Sequence, residues 1–434
     1  MENWREKYKS KYATPQGAAK RIKSGDYIVT SMSSGIPYMF LDALAERAEE
    51  LENVTVHHLS YYKPTKLCEP KNNGHIKVIS AFLSTYERAY RQNGFDISYQ
   101  PMHLSNINEH RKKNATVLAA VGTAPDENGM ISLGPCPMRS DLRDTVEQVI
   151  IQINENLPYV GGDYGTISVN DVDLMVDGTE DLISIPAAPI SAVEESIGGF
   201  IAEMVPDGAC LQLGIGSIGT AVGNFLRGKK DLGLHTEMFV EAMVGLIECG
   251  AVNNSRKELC QGVSVFGFAS GSSEMYCFLD HNPLVESRPF DFVNSPRIIA
   301  QLSNMVSINS AMQIDLTGQV CAESVGIRQY SGTGGQADFV RGANWSCGGM
   351  SFIALPSSRV DKSGERFSKI SLTLPAGSAV TTPRSDVQYI VTEFGVANLR
   401  GASLSERAEK LISIAHPDFR EQLRKEAKKA GLLI

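Results

Sequence analysis

The stretch DLGLHTEMFVEAMVGLIECG, residues 231–250, sets a single acid, Glu237, between an extended segment and an almost wholly apolar one. A carboxylate in that position can act as a nucleophile if it is kept charged, partly dehydrated and well placed. Just upstream, CLQLGIGSIGTAVGNFL carries Gly214, Gly216 and Gly219, a GxGxxG that follows an apolar strand pattern and opens a helical one. Glu237 stands 18 residues past the last of these glycines. That context suits a dinucleotide fingerprint with the acid at the ribose, which would make the chain an NAD-dependent oxidoreductase. It equally suits a tight strand-to-helix turn whose glycines permit positive φ and close packing. A third reading keeps the turn's bare N–H groups and changes the anion, from a phosphate to an oxyanion forming on a reacting carbonyl. The motif alone leaves all three open.

Other reactive side chains are dispersed. The eight cysteines, at 68, 136, 210, 249, 260, 277, 321 and 347, form no CxxC pair, and among the eight histidines only His57 and His58 are close. No HExxH or comparable ligand spacing occurs, so no metal site is expected. A formal charge of -8 without a basic block argues against nucleic acid as a partner. No apolar run approaches the ~18 residues of a membrane span. The charged start, MENWREKYKSKY, lacks a secretory apolar region, and a cytoplasmic protein is expected.

The elements that must position Glu237 alternate between helical and extended patterns, as an α/β fold requires. At 434 residues the chain should divide into two domains. In TPQGAAKRIKSGD, Thr14 reads as an N-cap, Pro15 as the first helical residue and Gly25 as the stop. YIVTSM, NVTVHHL, HIKVISAFL, ATVLAAVGTA, EQVIIQIN and VDLMVDG read as strands, and PYMFLDALAERAEEL as an amphipathic helix. ISIPAAPIS, 183–191, is the expected linker, which places the domains at 1–185 and 186–434. Beyond it the grammar repeats. IAEMVPDGACLQLGIGSIGTAVGNFL echoes AKRIKSGDYIVTSMSSGIPYMFLDAL about 183 residues earlier, and DLTGQVCAESVG echoes PDENGMISLG. Two echoes in one order favour two similar α/β halves with a ligand cleft at their interface.

Five ordered blocks carry a more specific signal: LQLGIGSIGTAV, HTEMF, VSINSAMQIDLTGQVCAESVG, SGTGGQADFVRGA and YIVTEFGVANLRG with RAEKLISIAHPDFRE. Together they resemble the family I coenzyme A transferases of the acetyl-CoA hydrolase/transferase branch, which includes butyryl-CoA:acetate and 4-hydroxybutyrate CoA-transferases. The resemblance covers nearly the whole chain and is densest from 206 to 421. It implies two tandem, similar α/β domains with the active site at their interface. It also implies an acyl-CoA:carboxylate transferase of short-chain fatty acid metabolism, with acyl-CoA and small carboxylates as substrates. Coenzyme A would enter as a substrate, with no permanently bound cofactor, no metal, no membrane or nucleic-acid partner, and a homodimeric assembly. A hydrolase of short-chain acyl-CoA on the same fold differs only in admitting water.

The resemblance assigns Glu237 as the nucleophile that becomes a glutamyl-CoA thioester, with Asn294 in DFVNSP holding its carboxylate. The turn Gln212, Leu213, Gly214, Ile215 and Gly216 would contact CoA and supply an oxyanion donor from the Ile215 N–H, with Gly334 or Gly335 supplying the other. TSMSSGIP, 30–37, would line the acyl pocket. Glu237 is expected at the N-terminus of a buried helix carrying Phe239, Val240, Met243, Val244, Leu246 and Ile247, whose dipole would favour the ionised acid. Glu241 and Glu248 lie along the same helix, and Glu323 in CAESVG is the rival nucleophile. Where such enzymes often have lysines, SCGGMS has Cys347, read as a small apolar filler, and Met350. Arg359 and Lys362 become the candidates for CoA phosphates.

Overall fold

The computed structural model describes residues 4–138, 140–185 and 189–434, so residues 186–188 of the linker stretch lie outside the described residues. The protein is mixed α/β and divides into two compact units, Met1–Ile185 with Val265–Val293, and Pro186–Ser264 with Asn294–Ile434. A boundary at 185/186 alone would put 265–293 in the second domain. Those residues group with the first unit through hydrogen bonds from Ala269 N to Pro135 O (2.7 Å), His281 N to Tyr159 O (2.9 Å) and Ser287 N to Gly161 O (3.0 Å).

In the first unit Thr14 caps the helix Pro15–Ala19 by accepting from Gly17 N, and Gly25 has φ +88°. Eight strands form one sheet in the spatial order Tyr12–Ala13, Leu174–Asp177, Gln148–Ile153, Val117–Gly122, Tyr27–Val29, Val54–His58, Ile76–Ser80, Ile97–Tyr99. Every pairing is parallel. A parallel sheet covered on both faces needs apolar side chains on both. Ile28, Ala119 and Ile150 accordingly join one core, and their neighbours Val29, Leu118 and Ile151 the other.

The second unit restarts on the same plan. Ser191 and Glu194 form a capping box for the helix Ala192–Met204. The strand Cys210–Leu213 then begins 183 residues after its counterpart Tyr27–Val29. Six strands of this unit run in the spatial order Gly233–Phe239, Cys210–Leu213, Met305–Ser310, Met350–Ala354, Tyr389–Thr392, Gly395–Asn398. All are parallel except the last pair, an antiparallel hairpin. In each unit the leading strand sits between the next strand in sequence and one that arrives much later. This is the switch point at which open α/β sheets bind ligands, beyond the carboxyl ends of their strands. Among the described residues no helix is long and apolar enough to cross a membrane.

Candidate active site

The Gly-rich turn leaves the carboxyl end of Cys210–Leu213 at the second unit's switch point and enters the helix Ser217–Phe225. Its glycines are dictated by space and by backbone angle. A Cβ on Gly219 would lie 2.2 Å from the Gly214 carbonyl oxygen, and Gly216 has φ +102°. Gln212 is buried with its amide spent: Nε2 donates to Ile308 O and Asn309 Oδ1, while Oε1 accepts from Ser307 Oγ and Asn309 Nδ2. Any contact from Gln212 to a ligand must therefore come from its backbone. Leu213 is buried and Ile215 exposed. The parallel register pairs Leu211 with Leu234, and its continuation brings residue 214 level with residue 237.

Glu237 stands within the strand Gly233–Phe239, and the following helix begins only at Glu241. The expectation of a carboxylate at that helix's N-terminus is therefore corrected, as is that of a buried helix, since only Met243 and Leu246 are buried along Glu241–Glu248. Val240 precedes it without a capping side chain. The donors to Glu237 come from elsewhere. Alternation along the strand puts His235, Glu237 and Phe239 on one face. The helix Gln336–Trp345 covers that face, with the Phe339 and His235 ring centroids 6.2 Å apart. Gly335, just before this helix, lies directly on the acid, where a Cβ would fall 1.7 Å from Glu237 Oε2 and 2.3 Å from Asn294 Nδ2. Asn294 is fully buried and donates from Nδ2 to Glu237 Oε2 at 2.7 Å.

These neighbours pull the acid in opposite directions. Loss of hydration and the nearby buried Asp338 favour the neutral form, whereas the Asn294 side chain and the Gly335 N–H favour the charged one. Dehydration is the largest effect, and the carboxyl is pushed up to about 7. Part of the Glu237 surface nevertheless stays open. The result is an acid that exchanges its proton near neutrality and keeps an accessible face, as a nucleophile requires.

Three predicted residues thus meet, namely Glu237, Asn294 and Gly335, and Gly334 adjoins them in the αL conformation at φ +57°. Glu323 is not poised for attack. Its buried carboxylate accepts from Gln329 Nε2 and Thr381 Oγ1, with Thr333 Oγ1 close by. Cys347 is exposed rather than an apolar filler, because it sits in the turn after Trp345. Arg359 lies over the Phe367 ring at 4.5 Å, and Lys362 is exposed. In the first unit the 30–37 stretch is a buried turn in which Ser31 Oγ donates to Cys136 O at 2.7 Å. Asp338, buried in the first turn of the helix Gln336–Trp345, is a neighbour that the sequence marks only as an acid two residues after the GGQ.

Family models for the acetyl-CoA hydrolase/transferase N-terminal and C-terminal domains match residues 1–186 and 271–427. The chain belongs to the acetyl-CoA hydrolase/transferase family. It is 41% identical to a succinyl-CoA:cyclohexane-1-carboxylate CoA transferase of Geobacter metallireducens, over 98% of this chain and 97% of that one. It is 38% identical to a butyryl-CoA:acetate CoA-transferase of Anaerostipes caccae, over 99% and 98%. A crystal structure of 4-hydroxybutyrate CoA-transferase from Porphyromonas gingivalis matches with a TM-score of 0.83 and 32% identity, covering 99% of this chain and all of that one.

Proposed function

We propose that this protein is an acyl-CoA:carboxylate CoA-transferase that moves CoA from a short-chain acyl-CoA to a free acid such as acetate, with Glu237 as the covalent nucleophile. One observation carries the reading: an accessible carboxylate is held at the carboxyl end of a parallel sheet by Asn294 Nδ2 and the Gly335 N–H, under a glycine that leaves no room for a side chain. Two of the relatives named above are named for moving CoA between an acyl-CoA and a carboxylate, which supports the same reaction class here.

A Glu237 oxygen attacks the thioester carbonyl, the C–S bond breaks, and an acyl-glutamyl anhydride forms with release of CoA thiolate. The thiolate attacks the glutamyl carbonyl and expels the first carboxylate, leaving a glutamyl-CoA thioester. A second carboxylate attacks that thioester, CoA thiolate leaves, and its attack on the new acyl carbonyl yields the product and restores Glu237. Substrates therefore exchange in ping-pong order. The Asn294 and Gly335 donors already address the Glu237 carboxyl, so they also suit the oxyanion that forms on the glutamyl carbonyl. The Ile215 N–H, one residue beyond the position level with residue 237, is the donor for the acyl oxyanion.

The test is chemical trapping. After incubation with butyryl-CoA alone, borohydride should inactivate the enzyme and alter the mass of the peptide holding Glu237. Glu237→Gln should keep its circular dichroism and lose transfer by on the order of a thousandfold or more. Substantial transfer by Glu237→Gln, or trapping on a different peptide, would falsify the assignment.

A further inference from the structure

We propose that Glu323 is a positioning residue for this reaction, its buried carboxylate tying down the 329–333 loop so that the Gly335 N–H stays on Glu237. The inference rests on Glu237 being the nucleophile.

Glu323 lies in the turn after Val320–Cys321 and is 5% exposed. Its backbone and side chain grip one loop together. The Glu323 carbonyl accepts from Tyr330 N (2.8 Å) and Ser331 N (3.1 Å), while Oε2 accepts from Gln329 Nε2 (2.9 Å). The Gln329 amide also donates to Ser331 O, which closes the loop on itself. On its other side Oε1 accepts from Thr381 Oγ1 at 3.0 Å, and that hydroxyl in turn accepts from Ala322 N. A buried carboxylate without such donors would be costly, so their convergence marks a built anchor rather than a chance contact.

What the anchor holds decides its role. The loop runs through Thr333, whose hydroxyl faces both Glu323 oxygens, directly into Gly334 and Gly335. A second clamp begins at the next residue: Gln336 Nε2 donates to Ser310 O, and Gln336 Oε1 accepts from Thr382 Oγ1. Thr381 and Thr382 thus brace the two sides of the glycine pair. Glycines have the largest freedom to drift, and Gly334 is in the left-handed region, so neither can hold its own N–H in place. Hydrogen-bond strength falls steeply with misalignment, so a small drift of Gly335 weakens its donation to Glu237.

The experiment compares wild type, Glu323→Ala, Glu323→Gln and Thr381→Val in steady-state kinetics across pH, together with borohydride trapping. In Glu323→Ala, kcat should fall on the order of tenfold or more, with KM for acyl-CoA little changed. Its acid limb of kcat/KM should move to higher pH, because Glu237 loses a donor to its charged form. Glu323→Gln keeps one acceptor and should recover part of the loss. Thr381→Val should move the limb in the same direction, and it decides the matter should the alanine variant fail to fold. A fall in kcat with the acid limb unmoved, or unaltered kinetics in both Glu323→Gln and Thr381→Val, overturns the proposal. If wild type is not trapped at Glu237, it is the nucleophile assignment that has failed.

Discussion

Around Glu237 the geometry is tight enough that single atoms have kinetic consequences. Gly335→Ala places a methyl carbon 1.7 Å from Glu237 Oε2, so the acid or the helix Gln336–Trp345 must move. Overpacking of this kind costs about 1–3 kcal/mol, which, if it falls on the reactive geometry, corresponds to one or two decades in kcat; initial rates on a variant with unchanged circular dichroism would show it. Asn294→Ala has a different signature. The side chain favours the charged form of Glu237, so its removal raises a carboxyl already at about 7. Only the ionised acid attacks, so wild-type kcat/KM should rise with pH through about 7. In the variant the same rise should come at higher pH, and a limb that stays in place would show that the amide does not hold the nucleophile. The residues themselves were only partly legible. Asn294 lies 57 positions from Glu237 and reads, before Ser-Pro, as ordinary turn chemistry. The resemblance to CoA-transferases selected it, and no local spacing could have done so.

At the level of elements, sequence pattern located the Gly-rich turn well and the helix after Glu237 badly, for related reasons. Ahead of Ser217–Phe225 each glycine has a backbone job, so punctuation and structure coincide. Ahead of Glu241–Glu248 the cap position is Val240, which carries no capping group. An apolar run without a start signal fits a strand as well as a helix, and here the strand runs on through Phe239. The turn yields a sharp expectation. Gly219→Ala would press a Cβ to 2.2 Å from the Gly214 carbonyl, a backbone atom that cannot rotate aside. Destabilisation of about 1–3 kcal/mol and a raised KM for acyl-CoA should result. Gly228→Ala meets no atom within 4 Å and should stay within about 0.5 kcal/mol of wild type. Urea melts and acyl-CoA saturation curves on this pair would separate a packing role for the third glycine from a mere sequence habit.

For the whole molecule, the repeat is the feature that sequence conveys best, since Tyr27–Val29 and Cys210–Leu213 begin 183 residues apart and each sits at the switch point of its sheet. Periodicity reports which residues face a core but not which distant backbone completes it. That is why residues 265–293, which lie after the expected 185/186 boundary, group with the first unit instead. The consequence can be tested by severing the chain between 185 and 186. A fragment of residues 186–434 would carry the helix side chains Met275, Tyr276 and Leu279, all buried in the intact protein, without the carbonyls of Pro135, Tyr159 and Gly161 that now accept from their segment. Exposing a large apolar side chain costs about 1.5–3 kcal/mol, and a domain's whole stability is only about 5–15 kcal/mol. Either fragment alone should therefore be insoluble or melt without cooperativity, whereas co-expression should return a soluble pair that co-elutes in gel filtration and regains near-UV circular dichroism. A sharp melt from residues 186–434 alone would mean that the segment 265–293 owes little to the first unit, and that the repeat marks two separable domains after all.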